Sequence, residues 1–286
     1  MLRLATSLLL LLPLAAPLTA QNCDPLRTDL IAGQHTTMGT VTVSNTPTEL
    51  HVLVKAGRFW RIENVHIYAG PGPLPTNGGG NVAPGQFPFK TSYNPAVRFH
   101  DELIPLSVIG QQCGDDSVVA VHCDVVELDA GGNVVRSETA WGFGTPFTGS
   151  QWGWSIDFDI CCSGCDTSGA LDLTVDPLRI GAAADLPAAG ATPGAKVKFF
   201  ANCGLVACGI GAFCAGNPGD RIDLVAPIFA KTSAIANANG DAVVSFVVPP
   251  SAAVGRVYGL QAAYYEVING ALVLVKSNPV LARVLP

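Results

Sequence analysis

Trp154-Ser155-Ile156-Asp157-Phe158-Asp159-Ile160 alternates between large apolar residues and small or acidic ones. Successive side chains of an extended chain point to opposite faces, so this stretch reads as a strand with one buried and one wet face. Trp154 is expected to be buried with Ile156 and Phe158. The same period runs through Val41 and Val43 against Thr40, Thr42 and Ser44, and through Leu50, Val52 and Val54 against His51 and Lys55. In Ser117–Leu128 the face carrying Val119, Val121, Cys123 and Val125 is the better core face. Its opposite carries Ala120, His122, Asp124 and Val126.

Turn signals separate these runs. Asp129-Ala130-Gly131-Gly132-Asn133 stands between Ser117–Leu128 and Val134–Thr139. Asn239-Gly240 stands between Thr232–Ala238 and Ala242–Val248, and Asn269-Gly270 between Leu260–Ile268 and Ala271–Val275. Asn-Gly suits the two positive-φ positions of a type I′ hairpin turn. Gly and Pro, 31 and 21 of them, break the chain so often that its longest free run is Asp115 to Ala130. The helix candidate Ala182–Ala191 is interrupted by Pro187 and Gly190. Short strands at this spacing predict an all-β fold of two antiparallel β-sandwich domains.

Only 13% of the 286 residues are charged, about half the ~25% usual for soluble domains. That excludes a disordered polyelectrolyte, a coiled coil and a basic nucleic-acid binder. Met1–Ala20 reads as a signal peptide. Arg3 is its sole charge, Leu8–Leu12 its apolar run, and Leu18-Thr19-Ala20 its small-residue cleavage site. The apolar run is too short to span a bilayer, and no second long one follows, so no transmembrane segment is expected. The mature chain is expected to be secreted, extracellular or held at the cell surface. Residues 21–165 hold 14 acidic and 7 basic residues, whereas 166–286 hold 8 of each. With the linker-like Cys165-Asp166-Thr167-Ser168-Gly169 between them, these are two domains, the first acidic.

Nine cysteines follow the signal peptide: Cys23, Cys113, Cys123, Cys161, Cys162, Cys165, Cys203, Cys208 and Cys214. In an exported chain they read as disulfide staples, with one left over, expected in the second half. Gly70–Pro95 packs six Gly and six Pro into one segment. A loop that long is usually functional or disordered, and its Phe87-Pro88-Phe89 argues that part of it packs down.

The segments Gly39–Asn45, Val65–Gly70, Pro84–Phe89, Ala120–His122 and Glu138-Thr139-Ala140-Trp141-Gly142 resemble a secreted bacterial β-sandwich module found on multidomain surface proteins. The resemblance covers most of residues 33–162, and Glu138–Gly142 is its most specific mark. Ala238–Ala242, Pro249-Pro250, Gly259–Ala262 and Ser277-Asn278-Pro279 resemble a repeat-like sandwich at the C-terminus of exported bacterial proteins. Neither resemblance supplies catalytic residues, and both imply a non-catalytic role.

Three constellations could carry chemistry. His66 and His122 would converge if their strands were neighbours, with Asp124 or His100 as a third ligand. Imidazole with carboxylate suits zinc or copper. Asp115, Asp116, Asp157 and Asp159 could gather calcium, which takes several hard oxygens. Trp141 and Trp152 flank a Gly-rich segment and could stack on a sugar ring, although large aromatics more often bury. No GxSxG, HExxH or phosphate loop occurs. The expected function is therefore an exported, non-catalytic binding or structural protein, its partner a glycan, the extracellular matrix or another surface protein. The alternative is a metal-binding protein or metal-dependent enzyme with a His-centred site in the first domain.

Overall fold

The computed structural model describes residues 24–161, 171–206 and 221–286. The signal segment Met1–Ala20, the cysteines Cys23, Cys162, Cys165, Cys208 and Cys214, and the linker at Cys165–Gly169 lie outside the described residues. Almost every element is a strand, and no helix among the described residues is long and apolar enough to cross a membrane.

The first half of the chain contributes β1 (Leu26–Ala32), β2 (Thr36–Asn45), β3 (Glu49–Ala56), β4 (Trp60–Gly70), β5 (Phe89–Val97), β6 (Phe99–Pro105), β7 (Asp116–Leu128), β8 (Val134–Gly142), β9 (Thr145–Pro146) and β10 (Trp154–Asp159). They form one antiparallel sheet in the order β5-β4-β7-β8-β1-β2-β3-β6. Strand β10 lies along the first residues of β7, ahead of the stretch that β8 takes. The expected core faces point inward: Val41, Val43, Val52 and Val54 from one end of the sheet meet Val65, Ile67, Val119, Val121, Val125 and Ile156 from the other in one buried cluster. The sheet thus folds over itself in a sandwich-like arrangement. Its two end strands also touch, because the Tyr93 hydroxyl on β5 lies 2.7 Å from His100 Nδ1 on β6.

The second half adds β11 (Asp172–Leu173), β12 (Leu178–Arg179), β13 (Ala183–Ala189), β14 (Lys196–Asn202), β15 (Ala230–Ile235), β16 (Ala242–Val247), β17 (Val257–Ile268), β18 (Ala271–Lys276) and β19 (Val280–Leu285). A three-stranded sheet, β11-β13-β16, faces a six-stranded one built on β12-β19-β17-β14-β15, with β18 paired to β17. Leu173, Leu186 and Ala188 from the first sheet pack against Phe199, Leu260, Ala262 and Val284 from the second. The short β12–β19 pair is parallel, an exception among antiparallel strands. Ala182–Ala191, the lone helix candidate, is strand β13, with Pro187 opposite Val243 of β16.

Two turns illustrate what local sequence does and does not decide. Asn269 and Gly270 both take positive φ and close the tight β17–β18 hairpin, as type I′ chemistry demands. Asn239-Gly240 also forms a turn, with Asn237 Oδ1 accepting from the backbone amides of Asn239 and Asp241. Yet β15 and β16 do not pair as a hairpin. Strand β15 pairs with β14 and β16 with β13, so the chain crosses from one layer to the other at this turn.

The cysteine expectation needs correction at Cys123, a free thiol; Cys203 is free as well, in the half where the unpaired cysteine is expected. Cys123 lies in the first half, at the centre of β7, with its side chain in the main core. There it acts as a small apolar residue, and burial pushes its thiol pKa well up. Cys203 is exposed.

The two halves meet at His51. Although β3 alternates, His51 on its nominally wet face is fully buried. Its Nε2 lies 2.9 Å from Asp101 Oδ1 and its Nδ1 2.8 Å from the carbonyl oxygen of Gly204, in the second half. Arg256, also in the second half, donates from Nη1 to Asp101 Oδ2 at 2.7 Å and stacks 4.8 Å from the Phe99 ring. Gly204 holds φ +80°, and a Cβ there would meet His51 Cε1 and the Val257 carbonyl oxygen at 3.0 Å each. Leu103 of β6 packs beside them against Phe200, Leu224 and Val257. Asp101→Ala should cost about 3–5 kcal/mol, because it leaves buried His51 and largely buried Arg256 without their shared acceptor. Denaturant unfolding measures this, and a loss below about 1 kcal/mol would show that the contact does not hold the halves together.

Candidate functional site

Strands β4 and β7 run antiparallel in a register that sets His66 opposite His122, Asn64 opposite Asp124 and Tyr68 opposite Ala120. These are the residues left over once Val65, Ile67, Val121 and Cys123 have turned into the main core. Strand β8 brings Trp141 opposite His122 on the other side. The imidazoles of His66 and His122 stack at 5.7 Å, only 9° from parallel, and Trp141 meets His122 edge-on at 4.8 Å.

A second, smaller core covers this outer face. The Gly/Pro-rich segment folds back over it and inserts Phe87, which is fully buried, 6.0 Å from Tyr68 and 6.3 Å from Trp141. The segment is held by its own backbone, with Ala83 donating to the Pro75 carbonyl and Asn77 exchanging bonds with Asn81. A second loop, between β9 and β10, arrives from the other side. There Phe147 packs edge-on against Trp141 at 4.9 Å, and Gln151 Nε2 donates to the Val82 carbonyl. Gly153 makes room for that packing: at its φ of +135° a Cβ would fall 2.5 Å from Phe147 and 3.0 Å from Trp141.

Trp141 therefore presents no face to a ligand; it is 3% exposed. The accessible aromatics lie just beyond it. Trp152 and Trp154 are half-buried and meet edge-to-face at 6.0 Å. Phe143, half exposed, tilts over Trp154 at 5.3 Å. Trp154 is thus less buried than its alternation with Ile156 and Phe158 predicts. The single-strand pattern says which face a residue takes, but not that this face lies at the rim of the small core.

The histidine pair sits in a desolvated setting. Burial pushes the His122 pKa down to about 4, with neighbouring His66 adding to the shift and Asp124 opposing it. His66 is lowered too, chiefly by burial, with Lys90 contributing and Asp124 again opposing. Nδ1 of both rings is buried without a hydrogen-bond partner. Asp124 is engaged, since its Oδ2 accepts from Asn64 Nδ2 at 2.9 Å.

The expected convergence of His66 and His122 is present, but the third ligand does not join them. His100 lies on β6, its Nδ1 facing the Tyr93 hydroxyl and its Nε2 3.1 Å from Glu102. Among the described residues, no group of three or more His, Cys, Asp or Glu stands close enough to hold a metal. The calcium candidates are likewise spread. Asp115 accepts from the Gln112 amide, Asp157 accepts from the Thr145 hydroxyl, and Asp116 faces Asp159 across the β7–β10 pair.

Two features had no readable signal in the sequence. His51 shows its importance only when a surface from the far half of the chain covers it. Phe143 was one aromatic among several, and it gains meaning from stacking on Trp154.

The His122 shift makes a stability prediction. Above pH 6.5 the ring is neutral in both folded and unfolded chains. Below it the unfolded chain takes up a proton that the folded chain resists until about pH 4. Stability should therefore fall as pH drops from 6.5 to 4, by at most about 3 kcal/mol from this residue, less whatever solvent screening removes. His122→Gln should flatten that part of the pH profile in denaturant unfolding; an unchanged profile would contradict the assignment. Neither a protein-family model nor a curated protein matches this chain, so its own residues carry the functional reading.

Proposed function

We propose that the protein is an exported, non-catalytic binding protein of the cell surface or extracellular matrix, and that Phe143, Trp154 and Trp152 are its contact surface. One observation carries this reading: three aromatic rings, spaced 5.3 and 6.0 Å apart, lie partly exposed on a rim packed against buried Trp141 and half-buried Phe147. Rigid flat rings with few torsions to freeze bind at low entropic cost. Their polar neighbours, the Thr145–Asp157 pair and Gln151, suit the hydroxyls of a neutral polysaccharide.

Export fits the leader-like Met1–Ala20, the resemblance of Glu138–Gly142 to a secreted bacterial module, and a disulfide framework. Support for that framework comes from Cys113 and Cys161, which are in the bonded rather than the thiol form.

The test is affinity electrophoresis through native gels carrying soluble β-glucan, xylan or mannan. The reading predicts retardation by at least one of them. Trp152→Ala and Phe143→Ala should each weaken it about fivefold to tenfold, the worth of one aromatic contact. Retardation unaffected by the double variant, or none with any of the three, would overturn it.

A second reading, a His66/His122-centred zinc or copper site, draws support from the two buried, unpartnered Nδ1 atoms. It requires micromolar, stoichiometric Zn²⁺ or Cu²⁺ binding that His66→Ala abolishes, measured by calorimetry. Binding that survives His66→Ala, or none, would end it.

A further inference from the structure

The crossing at Asn239-Gly240 leaves the second sandwich open along one side. Strand β15 pairs only with β14, and β16 only with β13, so the layers part between them. A cavity of about 600 Å³ opens there. It runs inward between the layers, lined by Leu186, Phe199, Val244, Phe246, Tyr258 and Leu260 among others. At its edge Phe229 and Val247 remain more than half exposed. Phe229 stacks edge-on against Tyr258 at 5.6 Å, which fixes one wall.

Interiors are close-packed, and an apolar space of this size is far larger than the voids ordinary cores tolerate. It falls in the range of ligand sites, which are mostly apolar with a few polar groups to orient the guest. Three polar residues line it from the two edge strands, Thr232 from the inward face of β15 and Lys231 and Ser245 from the outward faces of β15 and β16, at the mouth. Lys231 is exposed, and no acidic side chain pairs with it among the described residues. An apolar interior with one unpaired cation and two hydroxyls at its rim is complementary to a chain with an anionic head.

We propose that this cavity binds a single-chain fatty carboxylate, its alkyl tail between the layers and its carboxylate at Lys231. The cavity belongs to the second half of the chain and the aromatic rim to the first, and neither reading depends on the other. The tail gains by leaving water, a contribution that scales with its buried area. The ion pair at the exposed rim adds less to affinity than to the choice of head group.

The test uses the full mature protein and displacement of 1-anilinonaphthalene-8-sulfonate by dodecanoate, dodecanol and dodecyltrimethylammonium. Dodecanoate should displace the dye saturably, at least fivefold more tightly than dodecanol, and the cationic amphiphile should be weakest. Lys231→Gln, an exposed change that leaves the fold intact, should bring dodecanoate down to the level of dodecanol without altering dodecanol itself. Val244→Trp should fill the space and weaken both by tenfold or more. Equal displacement by all three head groups, indifference to Lys231→Gln, or no saturable displacement would overturn the proposal. So would dimerisation through the open edges, seen by light scattering, that excludes the dye.

Discussion

Strand β7 must be buried on both faces, and much of the first half of the molecule follows from that. Its inward residues, Val119, Val121, Cys123 and Val125, belong to the main core. Its outward residues, Ala120 and His122, would otherwise lie bare in the middle of a sheet, with β4 on one side and β8 on the other. Covering them takes a second layer, and among the described residues no α-helix supplies one. The Gly/Pro-rich segment after β4 and the loop before β10 do it instead, with Phe87, Trp141 and Phe147 as the filling. The accessible aromatic rim is the edge of that filling.

The same constraint recurs at β3. Its outward His51 is covered by the second half of the chain rather than by a loop. Here the cover is polar, through the Gly204 carbonyl and the Asp101–Arg256 pair. A buried polar cover is specific, because each member must find its partner; an apolar one tolerates sliding. The two halves are thus fixed at a position where a misplaced partner would strand a charge. By contrast, the second sandwich leaves one side uncovered, and that is where its cavity lies.

Much of this was legible in the sequence, and the exceptions have physical causes. Period-two alternation placed Val41, Val43, Val52, Val54, Val119 and Ile156 correctly, because one face of a strand is a local property. The Asn269-Gly270 hairpin was legible because its backbone conformation is set by the two residues that adopt it. The burial of Phe87 was foreshadowed by two phenylalanines in a segment otherwise built for turns. Alternation could not show that the second face of β7 or of β3 is also buried, since that depends on chain far away in sequence. The Asn239-Gly240 turn was read as a hairpin because a turn motif says nothing about which sheet its strands will join. The separation of His100 from His66 and His122 had the same origin: His100 shares the inward face of its partner Val54, whereas His66 and His122 take the outer face, an arrangement set by the whole topology.

The central claim is that the segment from Gly70 to Pro95 is an ordered cover over β7, not a mobile loop. Amide hydrogen exchange at Ala83 and Phe87 tests it most directly. The Ala83 amide donates to the Pro75 carbonyl and the Phe87 amide to that of Pro84, beneath the layer that buries the Phe87 ring. The account predicts exchange at both slowed well beyond the unstructured rate, and restored to it by Phe87→Ala while the amides of β7 stay protected. Exchange at the unstructured rate in the unaltered protein would contradict it.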